Sequence, residues 1–179
     1  MKTTQILIAG FGGQGILFAG KFLAYKGLTE DLQVSWLPSY GPEMRGGTAN
    51  CNVILSDDPV GSPIITQPDV LIAMNLPSLQ KYVDTVAPGG QIYVDSALID
   101  EKVERTDVEV FYIPATQMAK DNGIASLANM IIVGALLEHN SELSFNGVDA
   151  VVQKLVPAKK AALVELNMKA LLLGKEYSV

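Results

Sequence analysis

The run Ile6-Leu7-Ile8-Ala9 passes without a break into Gly10-Phe11-Gly12-Gly13-Gln14-Gly15, and then into helix-compatible residues from Ile16 to Tyr25. No other segment restricts the fold as much. A short run that is apolar at every position suits a strand buried on both faces, as in a parallel sheet. Glycines 10, 12 and 15 keep the G-x-G-x-x-G spacing, which permits a tight turn and close backbone approach. The following helix offers free N–H groups and the positive end of its dipole at its start. Strand, turn and helix are therefore expected in that order, with Gly27 as the helix C-cap.

The same alternation continues along the chain. Gln33 to Leu37 reads as a second strand stopped by Pro38, and Ala49 to Ser56 as a half-buried strand with Ala49, Cys51, Val53 and Leu55 on one face. Val70 to Met74, Gln91 to Asp95 and Val108 to Ile113 read as further strands, and Leu76 to Val86 as a helix. Leu98 to Asp107 reads as a polar surface connection. Ser126 to Glu138 is apolar all round, the pattern of a helix buried in the core or under a partner. Pro157 and Gly174 bracket a last helix. The expected fold class is α/β, a Rossmann-like three-layer domain with a mostly parallel sheet and helices on both faces, spanning 1–179 as one domain.

Composition narrows the function. The 179 residues carry 13 Lys and Arg against 19 Asp and Glu, a net charge of -6. Such a chain is a poor partner for nucleic acid or an anionic membrane. Cys51 is the only cysteine, so an intrachain disulfide and a cysteine-held cluster are excluded. The start lacks a secretory pattern and no apolar run reaches a membrane span, so a cytoplasmic protein is expected.

The glycine turn suggests phosphate or dinucleotide binding. A dinucleotide fold, however, needs an acid at the carboxyl end of its second strand, and that end reads Trp36-Leu37-Pro38-Ser39. Glycines that serve only strand-to-helix packing remain an open reading. In Tyr40-Gly41-Pro42-Glu43-Met44-Arg45-Gly46-Gly47, Arg45 is a cation between glycines in a loop after a strand; it is either ligand-facing or a solvated turn. Tyr40 suits an interface better than an adenine stack. Cys51 reads as a small buried hydrophobe, His139 as a last-turn residue, and Asp95 and Ser96 as helix caps. Asn129, an amide in an apolar helix, needs a partner.

These two glycine segments together resemble the gamma subunit of 2-oxoacid:ferredoxin oxidoreductases. Ser56-Asp57, Pro68-Asp69-Val70, Pro88-Gly89-Gly90 and Asn129 sit where that family has them, and the resemblance covers roughly residues 5 to 140. It implies a non-autonomous subunit of an assembly that converts a 2-oxoacid and coenzyme A to acyl-CoA and carbon dioxide. Thiamine diphosphate, magnesium and iron–sulfur clusters are then expected in partner alpha, beta and delta subunits, with ferredoxin served by the complex. A homodimer of this chain is a further expectation, and coenzyme A a candidate substrate at this subunit. The residues implied in binding are Gly10, Gly12, Gly13, Gln14, Gly15, Tyr40, Gly41, Glu43, Arg45, Gly46, Gly47 and Asn129. No catalytic residue, metal ligand or cofactor held by this chain alone is expected. The lack of a Gly-Asp-Gly signature with a paired Asn agrees with that, since cofactors carry such chemistry. The competing readings are a stand-alone nucleotide-binding dehydrogenase and a non-catalytic scaffold domain. The 2-oxoacid is chosen where thiamine binds; Val34-Ser35-Trp36-Leu37 and Gly61-Ser62-Pro63 lean toward a branched-chain or broad-specificity member.

Overall fold

The computed structural model describes residues 2–39 and 48–178. Its centre is β1 (Thr3–Phe11), whose apolar middle is buried on both faces. The chain continues through α1 (Ile16–Leu28), β2 (Gln33–Ser39), β3 (Thr48–Ser56), β4 (Val70–Ala73), α2 (Leu76–Tyr82), β5 (Gln91–Asp95) and β6 (Glu109–Ile113). Four helices follow: α3 (Ala115–Asp121), α4 (Ala128–His139), α5 (Val148–Leu155) and α6 (Ala162–Lys175). Among the described residues, no helix is long and apolar enough to cross a membrane.

One sheet runs in the order β2-β3-β1-β4-β5-β6. The pairs β1–β4, β4–β5 and β5–β6 are parallel. β3 lies antiparallel between β1 and β2, so it alone opposes the other five strands. The expected mostly parallel sheet with helices on both faces is present, with β2 and β3 forming an antiparallel wing.

The first face carries the main core. Ile6 and Ile8 of β1, Cys51, Val53 and Leu55 of β3, and Val70 and Ile72 of β4 meet α1, α4, α5 and α6 there. α4 is buried from Ala128 to Leu137, within this chain's own core and not beneath a partner. The second face is covered by α2 and the 98–107 connection over Leu7, Leu71, Ala73, Ile92 and Val94. Arg105 fastens that connection: it forks onto Asp107 and donates to the Val83 and Val86 carbonyls.

Several expectations need correction. Gly27 is not a cap: it lies inside α1, which ends at Leu28 with Thr29 as its C-cap, and a Cβ there would stand 2.5 Å from Leu55. Pro38 does not stop β2, which runs on to Ser39, because an edge strand tolerates proline on its open side. The helix expected over Leu76 to Val86 turns 3₁₀ at Val83. Pro157 opens a 3₁₀ turn, with α6 starting at Ala162. Gly174 is within α6, where a Cβ would stand 1.8 Å from the Ile131 carbonyl oxygen. Gly134 of α4 meets the Leu171 carbonyl in the same way, so the two glycines let α4 and α6 cross in backbone contact.

Candidate functional site

The glycine turn sits at the carboxyl ends of β1 and β4, the edge where ligands bind in open α/β sheets. Its shape is held from inside. Gln14 Oε1 accepts from the Phe11 N–H at 2.6 Å, and Gln14 Nε2 donates to the Met74 carbonyl at 2.8 Å. That amide braces the turn and ties β1 to β4, which spends its polar atoms on the fold. Gly10 lies beneath it, where a Cβ would stand 2.5 Å from Gln14 Oε1 and 2.8 Å from Ile16. Gly15 has φ 74 and opens α1 with no side-chain cap. Gly13 has φ 94 with open space around it, and Gly12 is a partly exposed turn residue.

Asn129 joins this turn from α4. Its Nδ2 donates to the Gly15 carbonyl at 3.0 Å, while its Oδ1 is buried without a hydrogen-bond partner. The expected amide tie is therefore real. Gly10, Gly12, Gly13, Gln14, Gly15 and Asn129 come together. Tyr40, Gly41, Glu43, Arg45, Gly46 and Gly47 lie outside the described residues.

A cavity of about 190 Å³ adjoins the turn, lined by Gly13, Gln14, Met74, Leu98, Thr116 and Ser126 among others. Asp95, fully buried at the end of β5, accepts from the Thr116 hydroxyl at 2.5 Å and from the Thr116 and Ala97 N–H groups at 3.2 Å. It caps the start of α3, as its position after a strand suggests. Two groups at this edge escaped the sequence reading. Asn75 caps α2 by accepting from the Ser78 N–H at 2.9 Å, and both its Nδ2 and the Ser78 hydroxyl are buried without partners. An Asn between a strand and Leu-Pro was the available signal.

A larger cleft of about 510 Å³ lies at the opposite edge, lined by Lys2, Asp69, Gln91, Glu109 and Glu142. It takes in the amino ends of the parallel strands and none of the glycine turn, so it is not the candidate site. Among the described residues no group of three or more His, Cys, Asp or Glu is gathered for a metal. His139 stacks on Phe111 at 4.8 Å and Phe111 on Tyr93 at 4.7 Å, away from the turn. Cys51 is fully buried under α1, and burial pushes its thiol up to about 12.

The topology also separates the turn from the second strand. In a dinucleotide fold the second strand pairs with the first, which brings its terminal acid to the ribose. Here β3 intervenes, so β2 stands two strand spacings, roughly 10 Å, from β1. The turn therefore lacks the ribose-binding neighbour of a dinucleotide fold.

Fold and site define an α/β domain with a braced, glycine-rich turn at the carboxyl edge of a sheet that carries an antiparallel wing. The chain belongs to the pyruvate ferredoxin/flavodoxin oxidoreductase family, whose pattern it matches over residues 5–177. It is 38% identical over 178 residues to the ketoisovalerate oxidoreductase subunit VorA of Methanothermobacter thermautotrophicus, covering 97% of this chain and 36% of that protein. It thus spans about a third of the length of that relative. The crystal structure of a keto/oxoacid ferredoxin oxidoreductase gamma subunit from Geobacter sulfurreducens superposes with a TM-score of 0.86 at 32% identity, covering 98% of this chain and 96% of that one. A 2-oxoglutarate:ferredoxin oxidoreductase from Magnetococcus marinus, with 2-oxoglutarate, coenzyme A and succinyl-CoA bound, gives 0.87 at 28% identity over 98% of this chain and 31% of that one.

Proposed function

We propose that this chain acts as a non-autonomous gamma subunit, a single domain over 1–179, of a cytoplasmic 2-oxoacid:ferredoxin oxidoreductase. The complex converts a 2-oxoacid and coenzyme A to acyl-CoA and carbon dioxide. The observation that carries this reading is the end-to-end correspondence with a gamma subunit, 98% of one chain on 96% of the other. Thiamine diphosphate, magnesium and iron–sulfur clusters belong to partner alpha, beta and delta subunits, which pass electrons to ferredoxin.

At the turn, the first N–H groups of α1 are the feature that suits an anion, because Gly15 brings no side-chain cap. Coenzyme A offers such an anion in its phosphates, while Asn129 holds the turn in shape from beneath. Tyr40, Glu43, Arg45 and the glycines 41, 46 and 47 complete that proposed contact.

The test is reconstitution. The purified chain is expected to show no 2-oxoacid oxidation with coenzyme A and a viologen acceptor, and to restore turnover when added to partner chains lacking it. Turnover by the isolated chain overturns the reading. Tight NAD or NADP binding by calorimetry would return the dehydrogenase alternative.

A further inference from the structure

Among the described residues, no helix covers the second face of the antiparallel wing. α2 covers β1, β4 and β5, and the segment 59–64 borders the wing from Ser56 and Ile54 up to Asn52, whose Nδ2 donates to the Pro63 carbonyl at 3.4 Å, leaving Phe11, Leu37 and Asn50 beyond it. The residues pointing to this face follow from the register: Leu37 pairs with Asn52, which pairs with Leu7 on the buried second face. Ser35, Leu37 and Ser39 of β2 and Asn50 and Asn52 of β3 therefore share a face with Phe11.

Two properties single it out. Phe11 is 40% exposed, Leu37 39% and Ile64, beside the wing, 64%. Among the described residues, no charged side chain points from β1, β2 or β3 to this face, although the chain carries 32 charged residues in all (13 plus 19). Protein interfaces are depleted of charged residues at their centre and enriched in aromatic ones such as Phe11.

We propose that this face docks the catalytic polypeptide of the complex, the counterpart of the remaining two-thirds of VorA. The inference rests on the gamma-subunit reading. In the VorA and Magnetococcus relatives this domain is about a third of a longer chain, so the rest of that chain is its standing neighbour. The face is continuous with the candidate site, because Phe11 belongs both to β1 and to the glycine turn. A partner that works with that site lies against it. A second copy fits less well, since two chains each of net charge -6 repel at long range.

The experiment measures binding of the purified chain to the polypeptide of its own source that matches the remainder of VorA. Leu37→Glu and Asn52→Lys place charge on the face; Leu172→Glu places it on the exposed side of α6. Thermal melts confirm folding, and Asn52→Lys carries the test if Leu37→Glu does not fold. Each face variant is expected to weaken binding about tenfold or more, with the α6 variant within about twofold of wild type. Wild-type affinity in both face variants overturns the docking face and leaves the subunit reading intact. Loss of a dimer of the chain itself, with partner binding unchanged, also overturns it. No binding by the wild-type chain removes the subunit reading together with the face.

Discussion

Asn129 Nδ2 donates to the Gly15 carbonyl at 3.0 Å, joining α4 to the start of α1 across 114 positions of sequence. The pair sets how closely the two helices approach, because a Cβ on Gly15 would stand 2.5 Å from that same Nδ2. Asn129→Ala is expected to cost about 1–2 kcal/mol through the lost bond. Gly15→Ala adds the strain of φ 74 to the clash and costs about 2–4 kcal/mol. In the Asn129→Ala background the clash is gone, so Gly15→Ala falls to roughly 1–2 kcal/mol. Urea unfolding of the four proteins gives the coupling; simple additivity would contradict it.

Gln14 holds the turn through both ends of its amide. Gln14→Leu leaves the Phe11 N–H and the Met74 carbonyl without it and is expected to cost about 1–3 kcal/mol. Gln14→Glu keeps the acceptor but sets a negative charge against the Met74 carbonyl. With the Nε2 donor lost, that carbonyl faces a carboxylate, and the variant is expected to be about 1–3 kcal/mol less stable than wild type at pH 7. Denaturant midpoints test it.

Cys51 predicts an alkaline effect. Its thiol titrates near 9.0 when unfolded and is pushed up to about 12 in the fold, chiefly by burial. The folded pKa is the higher one, so its contribution is complete below pH 9 and is lost as pH rises toward 12. Between about pH 9 and 10.5 the loss is on the order of 2 kcal/mol. Cys51→Ala starts less stable but should lose correspondingly less over that interval. The wild-type thiol should also resist an aromatic disulfide at neutral pH and react at once in denaturant. Fast native labelling would contradict its burial.

Gly134 and Gly174 predict the sharpest destabilisation. Each lets the facing helix backbone approach, with added Cβ atoms 2.1 and 1.8 Å from the Leu171 and Ile131 carbonyl oxygens. Alanine favours helices intrinsically, yet here it must push α4 and α6 apart, costing roughly 3 kcal/mol or more. A melting temperature equal to wild type for either variant would show that the helices do not touch this closely.

The strands and the first helix were legible because each buries a run whose period is local. Ile6 to Ala9, Val70 to Ala73 and Gln91 to Asp95 show their apolarity within a few residues, and the glycine turn follows from spacing alone. Helices α3 and α5 were not individually readable, being short and half-exposed. Gly27 and Gly174 were misread as helix ends because a glycine needed for contact looks, in sequence, like one needed for a cap. Only the neighbouring element distinguishes the two.

The amino-acid sequence by itself determined the α/β class, the braced turn's place between strand and helix, and the two glycine segments that mark the family, since all of these are local or compositional. Tertiary structure decided the rest. It set β3 between β1 and β2, which moves the second strand away from the turn and removes the dinucleotide geometry. It spent Gln14 on bracing, gave Asn129 to Gly15, and, among the described residues, left one uncharged sheet face without a helix. Each of these depends on contacts between residues far apart in the chain, and strand order and packing create those contacts only when the whole sheet assembles.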